Sequence, residues 1–164
     1  MKEKVGKAFN GQINAELHSA YLYLSMAAYF ESNNLKGFGN WLRLQAKEEL
    51  THAMKFYDHM LERGGNVSLK AVESPKTGWK SALEAFDDVL KHEQMITGMI
   101  HALVDLTASE GDHAGASFLK WFVDEQVEEE AQSAEIAGKL KLINNIPGGL
   151  LMLDHQYGKR GSKD

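Results

Sequence analysis

Apolar residues recur at alternating steps of three and four along four stretches of the chain. Each stretch is interrupted near its middle by an acid, an amide or a histidine. The first runs Phe9, Ile13, Glu16, Ala20, Tyr23, Ala27, and the second Phe38, Leu42, Gln45, Glu49, His52, Phe56. The third runs Phe86, Leu90, Glu93, Thr97, Ile100, Val104, and the fourth Leu119, Phe122, Gln126, Glu129, Ser133, Ile136, Leu140. This spacing marks the face of a helix that turns toward a core. An ionised carboxylate on such a face is costly unless it is paired, or its pKa shifts until it is neutral. Four helices that carry this cost at mid-length are explained together by a bound cation.

The breaks between stretches give the layout. Segment one spans about Lys4 to Ser32 and ends at Asn33-Asn34, and segment two runs from Lys36 to the stop signal Gly64-Gly65. Segment three starts near Ser81, where Glu84 suggests a capping box, and closes around Gly111. Asp112 is placed to cap segment four, which continues to about Asn144. Pro147-Gly148-Gly149 then predicts a break, with a short helix over Leu150 to Tyr157 and a charged tail beyond it. The connections after segments one, three and four are tight, which makes those neighbours antiparallel. The link Asn66 to Lys80 is different. Its roughly 15 residues can stretch about 50 Å, and a helix of about 29 residues is roughly 44 Å long. It can therefore run the length of a bundle and set segments two and three parallel, with Val67, Leu69, Val72 and Trp79 packing down. The segment midpoints fall near residues 18, 50, 95 and 128, within about two residues of the polar interruptions. The interruptions therefore share one depth whichever way each helix runs. The expectation is an all-α chain: one domain over residues 1–164, a four-helix bundle with one long crossover and a short fifth helix.

Composition narrows the function. A net charge of −5 argues against nucleic-acid binding. With no cysteine, disulfides, thiolate zinc sites and Cys-ligated clusters are excluded. The N-terminus lacks the apolar core of a signal peptide, and the uncharged run Leu17 to Phe30 is too short to span a membrane. A soluble, cytoplasmic protein without a membrane partner is the expectation.

Glu49 and His52 leave one helix face three residues apart and can hold one metal ion. That spacing alone is common on solvated helices; its weight comes from Glu16, Glu93 and Glu129 at the same depth. Oxygen-rich ligation with imidazole suits iron, manganese or zinc. Glu49, central in the set, is the natural bridge between two ions. Tyr23, two turns beyond Glu16, reads either as a redox-active neighbour or as a core tyrosine. His18, His59, His92, His101, His113 and His155 fall mostly off the stripe and read as surface or packing residues. Glu48, Glu125 and Glu128 flank the site, as a secondary cation site or as a solvated face. A non-catalytic helical interaction module, with polar residues that only set packing register, is the alternative from another class.

The inward Glu and Glu-x-x-His pattern with one long crossover resembles the ferritin-like di-iron arrangement. The runs Ile13-Asn14-Ala15-Glu16-Leu17, Glu48-Glu49-Leu50-Thr51-His52, Lys91-His92-Glu93 and Trp121 to Glu130 resemble the non-haem ferritins of bacteria and archaea, over about residues 3 to 157. The resemblance implies a first iron at Glu16, Glu49 and His52, with Gln126 as an outer partner or weak ligand. It implies a second iron bridged by Glu49 and held by Glu93 and Glu129. It implies a third, weaker iron site at Glu48, Glu125, Glu128 and Glu129, and an electron-donating role for Tyr23. It further implies a homo-oligomeric hollow shell, usually of about 24 subunits, that oxidises iron(II) with dioxygen or hydrogen peroxide and stores the ferric mineral. Departures sort the relatives. Helix four has Gln126 before Glu129 rather than a second Glu-x-x-His, and there is no cysteine for a rubrerythrin iron domain. Leu50 stands where haem-binding bacterioferritins have methionine, so no haem is expected. The miniature DNA-protecting ferritins build their sites between subunits, whereas these ligands lie on four helices of one chain.

Overall fold

The computed structural model describes residues 1–144 and 146–161; residue 145 and the last three residues of the predicted charged tail lie outside the described part. Among the described residues five helices run in order: α1 (Glu3–Ser32), α2 (Lys36–Glu62), α3 (Ala82–Ser109), α4 (His113–Ile143) and α5 (Pro147–Tyr157). The first four form an antiparallel-paired bundle, α1 against α2 and α3 against α4, with α1 also close to α3. The 63–81 connection carries the chain back along the bundle, so α2 and α3 run parallel. Among the described residues no helix is long and apolar enough to cross a membrane.

The helix ends are encoded locally. Three helices stop with the same paired hydrogen bonds, from the second residue past the cap back to the last turn. These are Leu35 N to Phe30 O at 2.9 Å, Gly65 N to Met60 O at 2.7 Å and Asp112 N to Thr107 O at 2.8 Å. The geometry needs a left-handed residue, supplied by Asn34 (φ 60°), Gly64 (φ 65°) and Gly111 (φ 63°). Ser81 and Asp112 cap α3 and α4 by accepting from Glu84 N and Gly115 N. The capping box at α3 closes one residue earlier than expected, because Glu84 accepts from Lys80 N rather than from Ser81 N.

The crossover is tied down mainly by polar contacts. Asn10 and Asn14 of α1 donate to the carbonyls of Asn66 and Ala71, and Ser25 donates to Lys76 O. Trp79 is buried and donates its indole N–H to Asp88 at 2.9 Å. Val67 and Val72 are half-buried, whereas Leu69 is 64% exposed and does not pack down as expected. The anchoring falls to the amides and hydroxyls of α1, which the apolar pattern does not register.

The fifth helix begins at Pro147, three residues before the expected start. Proline at the first helical position loses no hydrogen bond and has its φ already set, so it opens this helix rather than breaking the chain. The helix docks on the start of α2, where Asp154 Oδ1 accepts from Phe38 N at 2.8 Å and so caps α2 from outside. The approach requires Gly37, since a Cβ there would lie 1.8 Å from Asp154 O. Gly37→Ala should therefore force α5 off α2 at a cost of about 1–3 kcal/mol. The check is a lowered thermal midpoint with helical content kept; an unchanged midpoint would argue against the contact.

Two apolar clusters fill the bundle, and they are separated. One, at the α5 end, holds Phe30, Phe38, Trp41 and Phe86, and the other holds Phe9, Phe56, Ile100 and Phe122. Between them lies a buried polar layer containing Glu16, Gln45, Glu49, His52, Glu93, Gln126, Glu129 and Ser133.

Candidate metal centre

Each helix contributes to that layer at mid-length, because the stripe that faces the core is the stripe that carries the acids. Glu16 and Glu129 are 1% exposed, and Glu49 and Glu93 are 2%. Ligand atoms of Glu16, Glu49 and His52 all lie within 4.8 Å of one another, the geometry of a group able to hold one metal ion. His52 Nδ1 is 3.3 Å from Glu49 Oε2, and its ring packs edge-on to Trp121 and Phe122.

Neutral donors line the carboxylates. Gln12 donates to Glu16 at 2.8 Å, and Gln45 donates to both Glu49 (3.2 Å) and Glu129 (2.6 Å). Tyr23 OH donates to Glu93 Oε1, and Gln126 Nε2 donates to Glu93 Oε2 at 3.2 Å. Gln126 is thus hydrogen-bonded to Glu93. Among the described residues, no lysine or arginine forms an ion pair with Glu16, Glu49, Glu93 or Glu129. Two oxygens, Glu16 Oε2 and Glu129 Oε1, are buried with no hydrogen-bond partner. Orphaned buried carboxylate oxygens are expensive, and a cation is the partner that would satisfy both.

Burial dominates the electrostatics. Together with the Glu49 charge beside it, burial pushes Glu16 up to about 8. Burial lifts Glu129 to about 7, helped by Glu93. Burial also lifts Glu93 to about 7 against the hydrogen bonds of Tyr23 and Gln126, which hold it down. Glu49 is raised well above the carboxylate range by burial and by Glu93. Tyr23 is likewise raised, by burial and then by the Glu93 charge, so it stays a phenol and a donor. At neutral pH without metal, the layer holds protons that an incoming cation must displace.

Glu48 and Glu125 are half-buried and Glu128 is exposed; Glu48 pairs with Arg160 of the C-terminal segment. His92, read as surface or packing, is buried beside the site with its Nε2 2.7 Å from Ser19 Oγ. Burial and the nearby His18 lower it to about 4, so it is a neutral packing residue.

Two contributors, Gln12 and Arg160, escape the stripe reading. Gln12 sits one residue off the Ile13 position, yet Gln12–Glu16 and Gln45–Glu49 share one spacing, an amide four residues before a buried acid. That repeated pair is the signal that could have found the donors. Arg160 has no local signal at all.

Comparisons with known proteins identify relatives of the whole chain. The family description matching residues 6–143 is the ferritin-like domain. A protein described as bacterial non-heme ferritin from Bacteroides fragilis is 41% identical, over 98% of this chain and 99% of its own. One with the same description from Staphylococcus saprophyticus is 45% identical, over 93% and 92%. A crystal structure described as a novel open pore ferritin from the hyperthermophilic archaeon Archaeoglobus fulgidus superposes with a TM-score of 0.97 at 52% identity, over 98% of this chain and 99% of that one. With its four-helix bundle, long crossover and buried carboxylate layer, this chain belongs to the ferritin family.

Proposed function

We propose that the chain is an iron-storage subunit that oxidises iron(II) at the buried carboxylate layer and passes iron(III) to the interior of a homo-oligomeric shell. The observation that carries this is the pair of orphaned oxygens, Glu16 Oε2 and Glu129 Oε1, beside the Glu16–Glu49–His52 cluster. A purely structural polar layer, as in the interaction-module alternative, would satisfy these oxygens with donors of its own.

In this reading iron is the substrate. Glu16, Glu49 and His52 hold the first iron(II), and Glu49 reaches a second held by Glu93 and Glu129. Metal binding displaces the carboxyl protons, and the full negative charge then favours the harder, more highly charged iron(III). Each iron gives one electron to the oxidant, dioxygen or hydrogen peroxide. Tyr23, hydrogen-bonded to Glu93, is the side chain next in line for electron transfer to the centre. Glu48, Glu125 and Glu128, with Glu129 shared, form the weaker third site on the way out. No haem is required, because the oxidation needs only the two irons and the oxidant.

Iron(II) added to the chelator-treated protein under air should be oxidised in a fast phase that saturates near two ions per chain. Slow oxidation with no saturating phase would remove the ferroxidase reading.

The assembly has its own observation. Ile146, Leu151 and Met152 are about 60% exposed around α5, while Leu153 anchors the helix from beneath. A run of this kind is suited to contact with other copies of the chain, and the expected shell is of about 24 subunits. Truncation after Ile143 should leave the bundle helical but reduce the particle mass or its thermal stability. A particle of unchanged mass and stability would count against α5 as an interface.

A further inference from the structure

The segment after α5 is strapped along α2, and its Arg160 reaches Gln45 and Glu48 beside the carboxylate layer. Asp154, in the last turn of α5, fixes the approach to this strap by accepting from Phe38 N. Two residues further along α2, Asn40 Nδ2 donates to Gly158 O (3.3 Å) and to Arg160 O (3.4 Å), fixing the backbone next to Arg160. The Arg160 guanidinium lies 4.6 Å from the Trp41 ring centre, and Nη1 donates to Gln45 Oε1 at 2.9 Å. Its Nη2 pairs with Glu48 Oε2, and both side chains are only 14% exposed. The crossover's contacts fall on α1 and α3, whereas α5 packs on α2 and α4 and the strap follows along α2.

The hydrogen-bond directions have two consequences. Gln45 has one acceptor oxygen and one amide nitrogen. With its oxygen taken by Arg160, its N–H groups must face Glu49 and Glu129, as they do. Glu48, meanwhile, is held by a planar, permanently charged partner that a cation has to displace. We infer that Arg160 is a positioning residue and a built-in counter-ion: seated on Glu48 it competes with a cation there, and through Gln45 it orients the two carboxylates of the centre. The C-terminal strap is then a latch on the side of the centre that faces Glu48. The latch rests on the reading of the centre as a metal site.

The test uses zinc(II), which is redox-inert, titrated calorimetrically into the chelator-treated, assembled full-length protein. The parent should show about two tight sites per chain and a weaker third. Arg160→Ala should tighten the third by about tenfold, and Glu48→Gln added to it should abolish the gain. Arg160→Lys, which keeps the charge, should restore at least half of the parent's weakness. Asn40→Ala, which frees the strap without changing charge, should act in the direction of Arg160→Ala and covers the case where that variant fails to assemble. A third site unchanged in both Arg160→Ala and Asn40→Ala overturns the latch and leaves the centre standing. So does a gain that survives Glu48→Gln, or Lys behaving as Ala. A parent with no tight sites overturns the reading of the centre, and the latch with it.

Discussion

Replacing Glu49 with alanine is expected to abolish the fast phase of iron(II) oxidation. Glu49 meets several members of the layer: its oxygens lie beside His52 Nδ1 and accept from Gln45, its charge raises Glu16, and the Glu93 and Glu129 charges raise it in turn. Loss of one outer partner of a metal ligand typically costs roughly 10–100-fold, so loss of a carboxylate shared by two ions should cost more than that. Glu128→Ala removes an exposed acid outside the layer and should leave the first turnover at the parent's rate while slowing later ones. Stopped-flow absorbance separates the two. Parent-like initial rates in Glu49→Ala would remove it from the centre.

The second large effect is on stability, and its sign comes from the raised carboxyl pKa of Glu16. Folded, Glu16 titrates near 8 rather than near the ordinary 4.5, chiefly because it is buried. Below the ordinary value both states are protonated and the group contributes no penalty. Between 4.5 and about 8 the native state keeps a proton that the unfolded chain has released, so stability falls as pH rises through this window. Glu93 and Glu129, each near 7, add to the same slope. Glu16→Gln keeps an acceptor for Gln12 and removes the charge. The metal-free variant should therefore be more stable than the parent at pH 8, on the order of a few kcal/mol, with the difference vanishing near pH 4.5. Glu93 is the poorer choice, because Tyr23 and Gln126 donate to it and a substitution would disturb both. Zinc should reverse the order by stabilising the parent more than the variant. Thermal unfolding of chelated samples across this pH range tests it, and a variant less stable at pH 8 would mean that Glu16 has a structural partner.

Much of the fold and of the site is legible in the chain because two periodic signals coincide. The apolar stripes set the helices within a few residues of their observed ends, and the polar interruptions on those stripes are the acids found together in the core. The parts that are not legible depend on tertiary contact. Leu69 reads as an anchor but is exposed, since Asn10, Asn14 and Ser25 hold the crossover through backbone groups. Pro147 reads as a break but starts a helix, because proline suits both roles and the docking of Asp154 on α2 decides between them. Gln12 lies off the stripe, yet a polar layer needs donors from the edges of each helix as well as from its centre line. Arg160 is separated from Glu48 by more than a hundred residues, and only the docking of α5 through Gly37 and Asp154 brings them together.

In the proposed centre, Glu16, Glu49, His52, Glu93 and Glu129 hold two iron ions. The most direct measurement is a crystal structure of the chelated protein soaked with iron(II) without oxygen, with anomalous data collected on both sides of the iron edge. Two iron peaks are expected in the buried layer, about 3.5–4 Å apart, with Glu49 touching both and His52 touching one. An empty layer, with iron found only at surface acids, would contradict the account.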